Sequence, residues 1–113
     1  MKLPLKNANR TMQLLNKTCV KKVPKIGEQD GKGDQPIVFL KFFLQGHTWF
    51  LCELNQETGE AFGKVFSSQC PEGELGYFSM IELSQVRGTF GAVERDRHFK
   101  PTGLAHIKNP CGV

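Results

Sequence analysis

Glu94 and Asp96 stand two positions apart in the run Glu94-Arg95-Asp96-Arg97-His98-Phe99. In an extended segment side chains return to the same face every second residue, so both carboxylates point one way. Joined by Glu53 and Glu74 they would form an oxygen-rich cluster of the kind that holds Mg²⁺ or Mn²⁺. A metal so held can activate water against a phosphodiester. The same run has a plainer reading, because Arg95 and Arg97 interleave with the acids as in an ion-pair ladder at a sheet edge.

Thiol chemistry has less to build on. Cys19, Cys52, Cys70 and Cys111 include no C-x-x-C pair and no histidine at zinc-ligand spacing, which argues against a structural zinc site. A nucleophilic cysteine would need His47 or His98 folded against it to become a thiolate near neutral pH. Cys52 lies in a strand-like apolar run, where a buried, reduced thiol is the ordinary outcome. Reduced thiols and the lack of an apolar leader place the expectation in the cytoplasm. The longest apolar run falls well short of the roughly eighteen residues that cross a bilayer as a helix, so no membrane partner is expected.

The net charge is +4, from 15 basic and 11 acidic residues. Much of the excess sits in the N-terminal third, where Lys17, Lys21, Lys22, Lys25 and Lys32 form a basic stretch that suits a phosphate backbone or an acidic protein partner. Nine Phe, one Trp and one Tyr supply the aromatic half of a single-strand stacking platform, yet a small sheet must spend most of them on its own core. The glycines at 27, 31 and 33 lack the G-K-[ST] ending of a phosphate-binding loop.

The elements that must position these residues are read as follows. The 113 residues make one domain. Residues 1–16 carry Leu5, Met12, Leu14 and Leu15 among polar residues, which predicts an N-terminal amphipathic helix. Residues 17–35, with Pro24, Gly27, Gly31 and Gly33, read as a flexible basic connection. Residues 36–108 hold the sheet and the remaining helices. Two β-rich runs, 37–44 and 48–54, flank Gln45-Gly46-His47 as a hairpin, and residues 61–66 add a third strand in which Gly63 marks a bulge or a close backbone approach. After residues 75–78, Ser79-x-x-Glu82 is a capping box opening a helix over about 80–86, stopped near Gly88. Thr102 caps a last short helix over 102–108. The fold class is α+β: an antiparallel sheet of four or five strands packed under two or three short helices. The expected core is Ile37, Phe39, Phe42, Trp49, Leu51, Phe62, Phe66, Tyr77, Phe78 and Leu83.

The ordered series K-F-F at 41–43, T-W-F at 48–50, Glu53, F-G at 62–63, E-L-G-Y-F-S at 74–79, E-L at 82–83 and E-R-D-x-H-F-x-P at 94–101 resembles a family catalogued as a domain of unknown function, DUF2958. The resemblance implies a setting on plasmids, conjugative elements and prophages, beside antirestriction genes, and for some members a label of single-stranded DNA endonuclease. Two functions follow as expectations. The first is a non-enzymatic accessory protein of a mobile element that binds a host defence complex or nucleic acid, of anti-restriction or anti-CRISPR type, through Lys17, Lys21, Lys22, Lys25, Lys32 and His47, with no cofactor. The second is a metal-dependent nuclease for single-stranded DNA, with Glu53, Glu74, Glu94 and Asp96 as ligands of Mg²⁺ or Mn²⁺ and Arg95 or His98 assisting the phosphate. A scaffold or assembly factor without any ligand is the third and blandest.

Overall fold

The computed structural model describes residues 1–31, 36–89 and 91–110. Lys32 and Cys111 lie outside the described residues. The elements in chain order are β1 (Leu5–Lys6), β2 (Gln13–Leu15), α1 (Lys17–Val20), β3 (Ile37–Val38), β4 (Leu40–Leu44), β5 (His47–Leu54), β6 (Glu60–Ser67), β7 (Cys70–Ser79), α2 (Met80–Gln85), β8 (Arg87–Gly88), β9 (Gly91–Ala92), β10 (Glu94–Arg95) and β11 (Thr102–Gly103), followed by a 3₁₀ turn at Leu104–His106. The main sheet has five antiparallel strands in the order β10-β4-β5-β6-β7, and three small two-stranded ladders surround it. Strand structure dominates, with the helices confined to short caps.

The β4–β5 hairpin closes through a two-residue turn, Leu44 pairing with His47. Gln45 and Gly46 both take positive φ, 40° and 83°, as the right-handed twist of a tight hairpin requires. β5 is buried along most of its length because both faces of the sheet are covered, which explains why its sequence is a continuous apolar run rather than an alternation. On one face Phe42, Leu51, Leu54 and Ala61 pack with Leu14 and Leu15 of β2, Val20 and Val23 around α1, and Met80 and Leu83 of α2. On the other, Val38, Phe50, Cys52 and Phe66 pack under Phe99, Leu104 and Ile107. Cover by two or three short helices is the expectation from the sequence; the C-terminal segment, not a helix, covers the second face.

The N-terminal helix expected over residues 1–16 is a hairpin, β1 against β2. Asn7 is the reason. Its backbone N–H donates to the Met12 carbonyl, its side-chain oxygen accepts from the Thr11 and Met12 N–H groups, and Arg10 sits at φ 57°. An asparagine that satisfies the backbone in this way builds a turn in competition with a helix.

The described part of the connection expected over residues 17–35 is anchored, from Asn16 at its start to Gln29, whose side-chain amide donates to the Ile37 and Cys52 carbonyls. Asn16 caps α1 by accepting from the Cys19 N–H, Val20 and Val23 are buried, and the Leu54 N–H donates to the Pro24 carbonyl at 2.9 Å. Residues 102–108 likewise form β11, paired with β3, and the 3₁₀ turn instead of a helix. Ser79 caps α2 as expected, its hydroxyl accepting from the Glu82 N–H at 3.2 Å.

Of the expected core, Phe42, Leu51, Phe66 and Leu83 are buried, but Tyr77 is 63% exposed. It lies on β7, an edge strand of the main sheet, with only β6 beside it among the described residues.

Candidate functional site

The edge strand β10 is held in place from three sides. The Asn7 amide donates to the Val93 carbonyl at 3.0 Å, the Arg95 N–H meets the Met12 sulfur at 3.2 Å, and Glu94 and Arg95 pair with Phe43 and Phe42 of β4. Just beyond, the Asp96 N–H donates to the Lys41 carbonyl. The Asp96 carboxylate lies 3.8 Å from the Lys41 ammonium and accepts from the His98 N–H at 2.9 Å. The ion pair therefore runs across strands, from β4 to the chain after β10, not along the E-R-D-R run.

Lys41, Glu94, Arg95, Asp96 and His98 line an open groove of about 750 Å³, together with Thr11, Met12, Phe43 and the tip of the β4–β5 hairpin. His47 enters it from that tip, with its ring stacked on Trp49 at 5.8 Å between centroids. Lys41 shares a face of the sheet with Glu94 and Asp96, Arg95 pairs with Phe42 on the opposite face, and Arg97, His47 and His98 complete the lining. The Arg95 Nε is buried with no hydrogen-bond partner among the described residues. A buried guanidinium donor left unsatisfied is costly.

The other sequence candidates lie elsewhere. Glu53 is 5% exposed, and its two oxygens accept from the Gly27 and Gln29 N–H groups, each at 2.9 Å. It clamps the segment after α1 onto β5. Glu74 is exposed on β7, the edge opposite β10. Four strand spacings of about 4.8 Å put those edges roughly 19 Å apart, so Glu53, Glu74, Glu94 and Asp96 do not share an ion. Among the described residues no three His, Cys, Asp or Glu side chains gather as a metal-binding group.

The basic stretch and His47 are also separated. Pro24 meets Leu54 at the far end of β5 from His47, and seven residues of strand amount to roughly 24 Å. Lys17, Lys21, Lys22 and Lys25 are all exposed, and Lys25, next to Pro24, lies at that far end. Sequence reasoning did not foresee Lys41 and Arg97 as members of the groove. Lys41 was masked by sitting inside an apolar run, although a lone lysine there is itself a sign that one position reaches the sheet edge.

Cys52 is buried, and that burial, reinforced by the neighbouring Glu53 charge, pushes its thiol up to about 12. It is a packed, neutral group near pH 7. Cys19 is occupied in the α1 cap, where its sulfur accepts from the Asn16 N–H at 3.3 Å.

Among the described residues no helix is long and apolar enough to cross a membrane. The family model described as protein of unknown function (DUF2958) matches residues 7–106, a span that includes both sheet edges and the groove's lining apart from Pro110. No curated protein and no solved structure matches the chain.

Proposed function

The chain belongs to that family of unknown function, and on this premise we propose that it is a non-enzymatic accessory protein of a phage or plasmid that binds and inhibits a host defence complex, of anti-restriction or anti-CRISPR type. The mobile-element setting rests on what resemblance to the family implies. The observation that supports a binding role is the groove: Lys41, Arg95 and Arg97 all line it at the sheet edge beside an exposed hairpin tip. The carboxylates that chemistry would need are engaged in structure, Glu53 on backbone N–H groups and Asp96 on Lys41 and His98.

The test is co-purification and inhibition with restriction and CRISPR effector complexes, using the native chain, an Arg95→Ala/Arg97→Ala groove variant and a Lys21→Glu/Lys22→Glu variant. Loss of binding in the groove variant, with its fold intact by circular dichroism, supports the reading. If the lysine variant alone loses binding, the contact surface moves to the basic stretch. Native-like inhibition by both variants would remove both surfaces from consideration.

One observation favours a second reading. Glu94, Arg95, Asp96 and His98 do share the groove, so a nuclease reading survives with that smaller set in place of the four dispersed carboxylates. Labelled single-stranded DNA incubated with Mg²⁺, Mn²⁺ or EDTA decides it. Metal-dependent cleavage abolished by Glu94→Ala and by Asp96→Ala would replace the binding proposal.

A further inference from the structure

The E-L-G-Y-F-S motif at 74–79 takes no part in the groove. It forms the outer half of β7, whose only partner strand is β6 among the described residues. We infer that β7 is a self-association edge: two copies pair their β7 strands antiparallel about a two-fold axis at Gly76, joining two five-stranded sheets into one of ten.

The hydrogen-bond phase of β7 carries the argument. Glu60 pairs with Ser79, and the Met80 N–H donates to the Gly59 carbonyl at 2.9 Å. Bonding one step outside a pair identifies it as the non-hydrogen-bonded type, and alternation along an antiparallel ladder then fixes the rest. Gly76 and Phe78 direct their backbone groups to β6, whereas Leu75 and Tyr77 direct theirs outward. A two-fold axis at Gly76 sets Leu75 opposite the partner's Tyr77 and Tyr77 opposite the partner's Leu75. Both are pairs whose free N–H and C=O groups face each other, giving four hydrogen bonds in register.

The side chains agree with that register. Leu75 and Tyr77 are 55% and 63% exposed, and Tyr77 continues an aromatic contact with Phe62 at 5.1 Å. Between Leu75 and Ser79 the strand carries no charge, proline or bulge, the devices that usually protect an exposed edge. Glu74 falls opposite the partner's Phe78, so no carboxylate meets its own copy. At the axis a Cβ on Gly76 would meet nothing within 4 Å. Pairing β7 with the opposite edge would offer only the two residues of β10, so a second β7 is the better fit, and the closed two-fold leaves both grooves free.

Sedimentation of the full chain across concentrations up to about 100 µM tests this. A concentration-dependent dimer that becomes monomeric in Leu75→Lys/Tyr77→Lys, with an unchanged far-ultraviolet spectrum, is the expected result. A native chain that stays monomeric, or a dimer that the double variant leaves intact, overturns it. Gly76→Cys checks the register independently of the lysines: mild oxidation is expected to cross-link it between copies in excess of the native cysteines, and Glu74→Cys is not. Equal cross-linking of the two would reject the two-fold at Gly76.

Discussion

The two ends of β5 use the same residue types for opposite purposes. At its C-terminal end Glu53 is buried, with each oxygen on a backbone N–H, opposite Phe62 of β6 and next to a strand irregularity between Leu51 and Glu53, where Leu51 pairs with Gly63. Across β4 from its N-terminal half, Asp96 is partly exposed and shares its charge with Lys41 in the open groove that runs to the hairpin tip. The difference teaches that a carboxylate's neighbours decide its role more than its presence in a motif. An acid that satisfies backbone donors holds the fold together, and an acid balanced by mobile side chains on an open surface remains able to meet a partner.

If the C-terminal end of β5 is the rigid one, its disruption must cost far more than any change in the groove. The largest effect is expected for Gly63→Ala, because a Cβ there would overlap the Phe50 carbonyl, which is backbone and has little room to move. A loss of about 4 kcal/mol, or failure to fold, is the expected outcome of a denaturant titration. A loss below about 1 kcal/mol would show that β5 and β6 separate there easily.

Glu53→Ala comes next, at about 3 kcal/mol, since it strips the acceptor from the buried Gln29 N–H and from the part-buried Gly27 N–H. Hydrogen exchange at Gly27 and Gln29 should accelerate in parallel. Unchanged exchange would mean that the clamp is not what secures the segment.

Cys52 sharpens the comparison through pH. Its folded pKa of about 12 lies above the ordinary thiol value of about 8.5, so the unfolded chain gives up this proton first as pH rises. The thiol's contribution is fully present below the unfolded pKa and is lost by up to about 1.4 kcal/mol per pH unit as pH climbs from about 9 toward 12. Alkylation of Cys52 near neutral pH is correspondingly expected to wait for unfolding, while the partly exposed Cys70 reacts in the native state. Equal rates at the two cysteines would contradict a packed, neutral Cys52.

The smallest effect belongs to the groove. Asp96→Asn should cost about 0.5 kcal/mol, the scale of a partly exposed ion pair, and should leave the midpoint of thermal unfolding nearly unchanged. A loss of 2 kcal/mol or more would make the groove a structural element and break the contrast between the two ends.

The central hairpin was legible because its signals are local. β-branched and aromatic runs on either side of Gln45-Gly46 dictate strand, turn and strand without help from the rest of the chain. The α2 cap is local too, with Ser79 three residues ahead of the N–H it accepts from. The N-terminal hairpin was not legible from leucine spacing alone, since Asn7 reaches Val93 across 86 positions and the turn it builds competes with helix on nearly equal terms. Tyr77 was placed in the core by its type, and strand order moved it to an edge.

The candidate site divides in the same way. Residue type and two-residue spacing marked Glu94, Arg95, Asp96 and His98 as one group, and the groove keeps them together. What lay beyond the sequence was which distant residues would join them, Lys41 and His47 from the neighbouring hairpin, and which would not, Glu53 at the other end of β5 and Glu74 on the opposite edge. Local backbone preference and side-chain alternation act over a few residues and are written in the chain itself. The order of strands in a sheet is settled by burying both faces at once, and only that tertiary choice sets which charges share a surface.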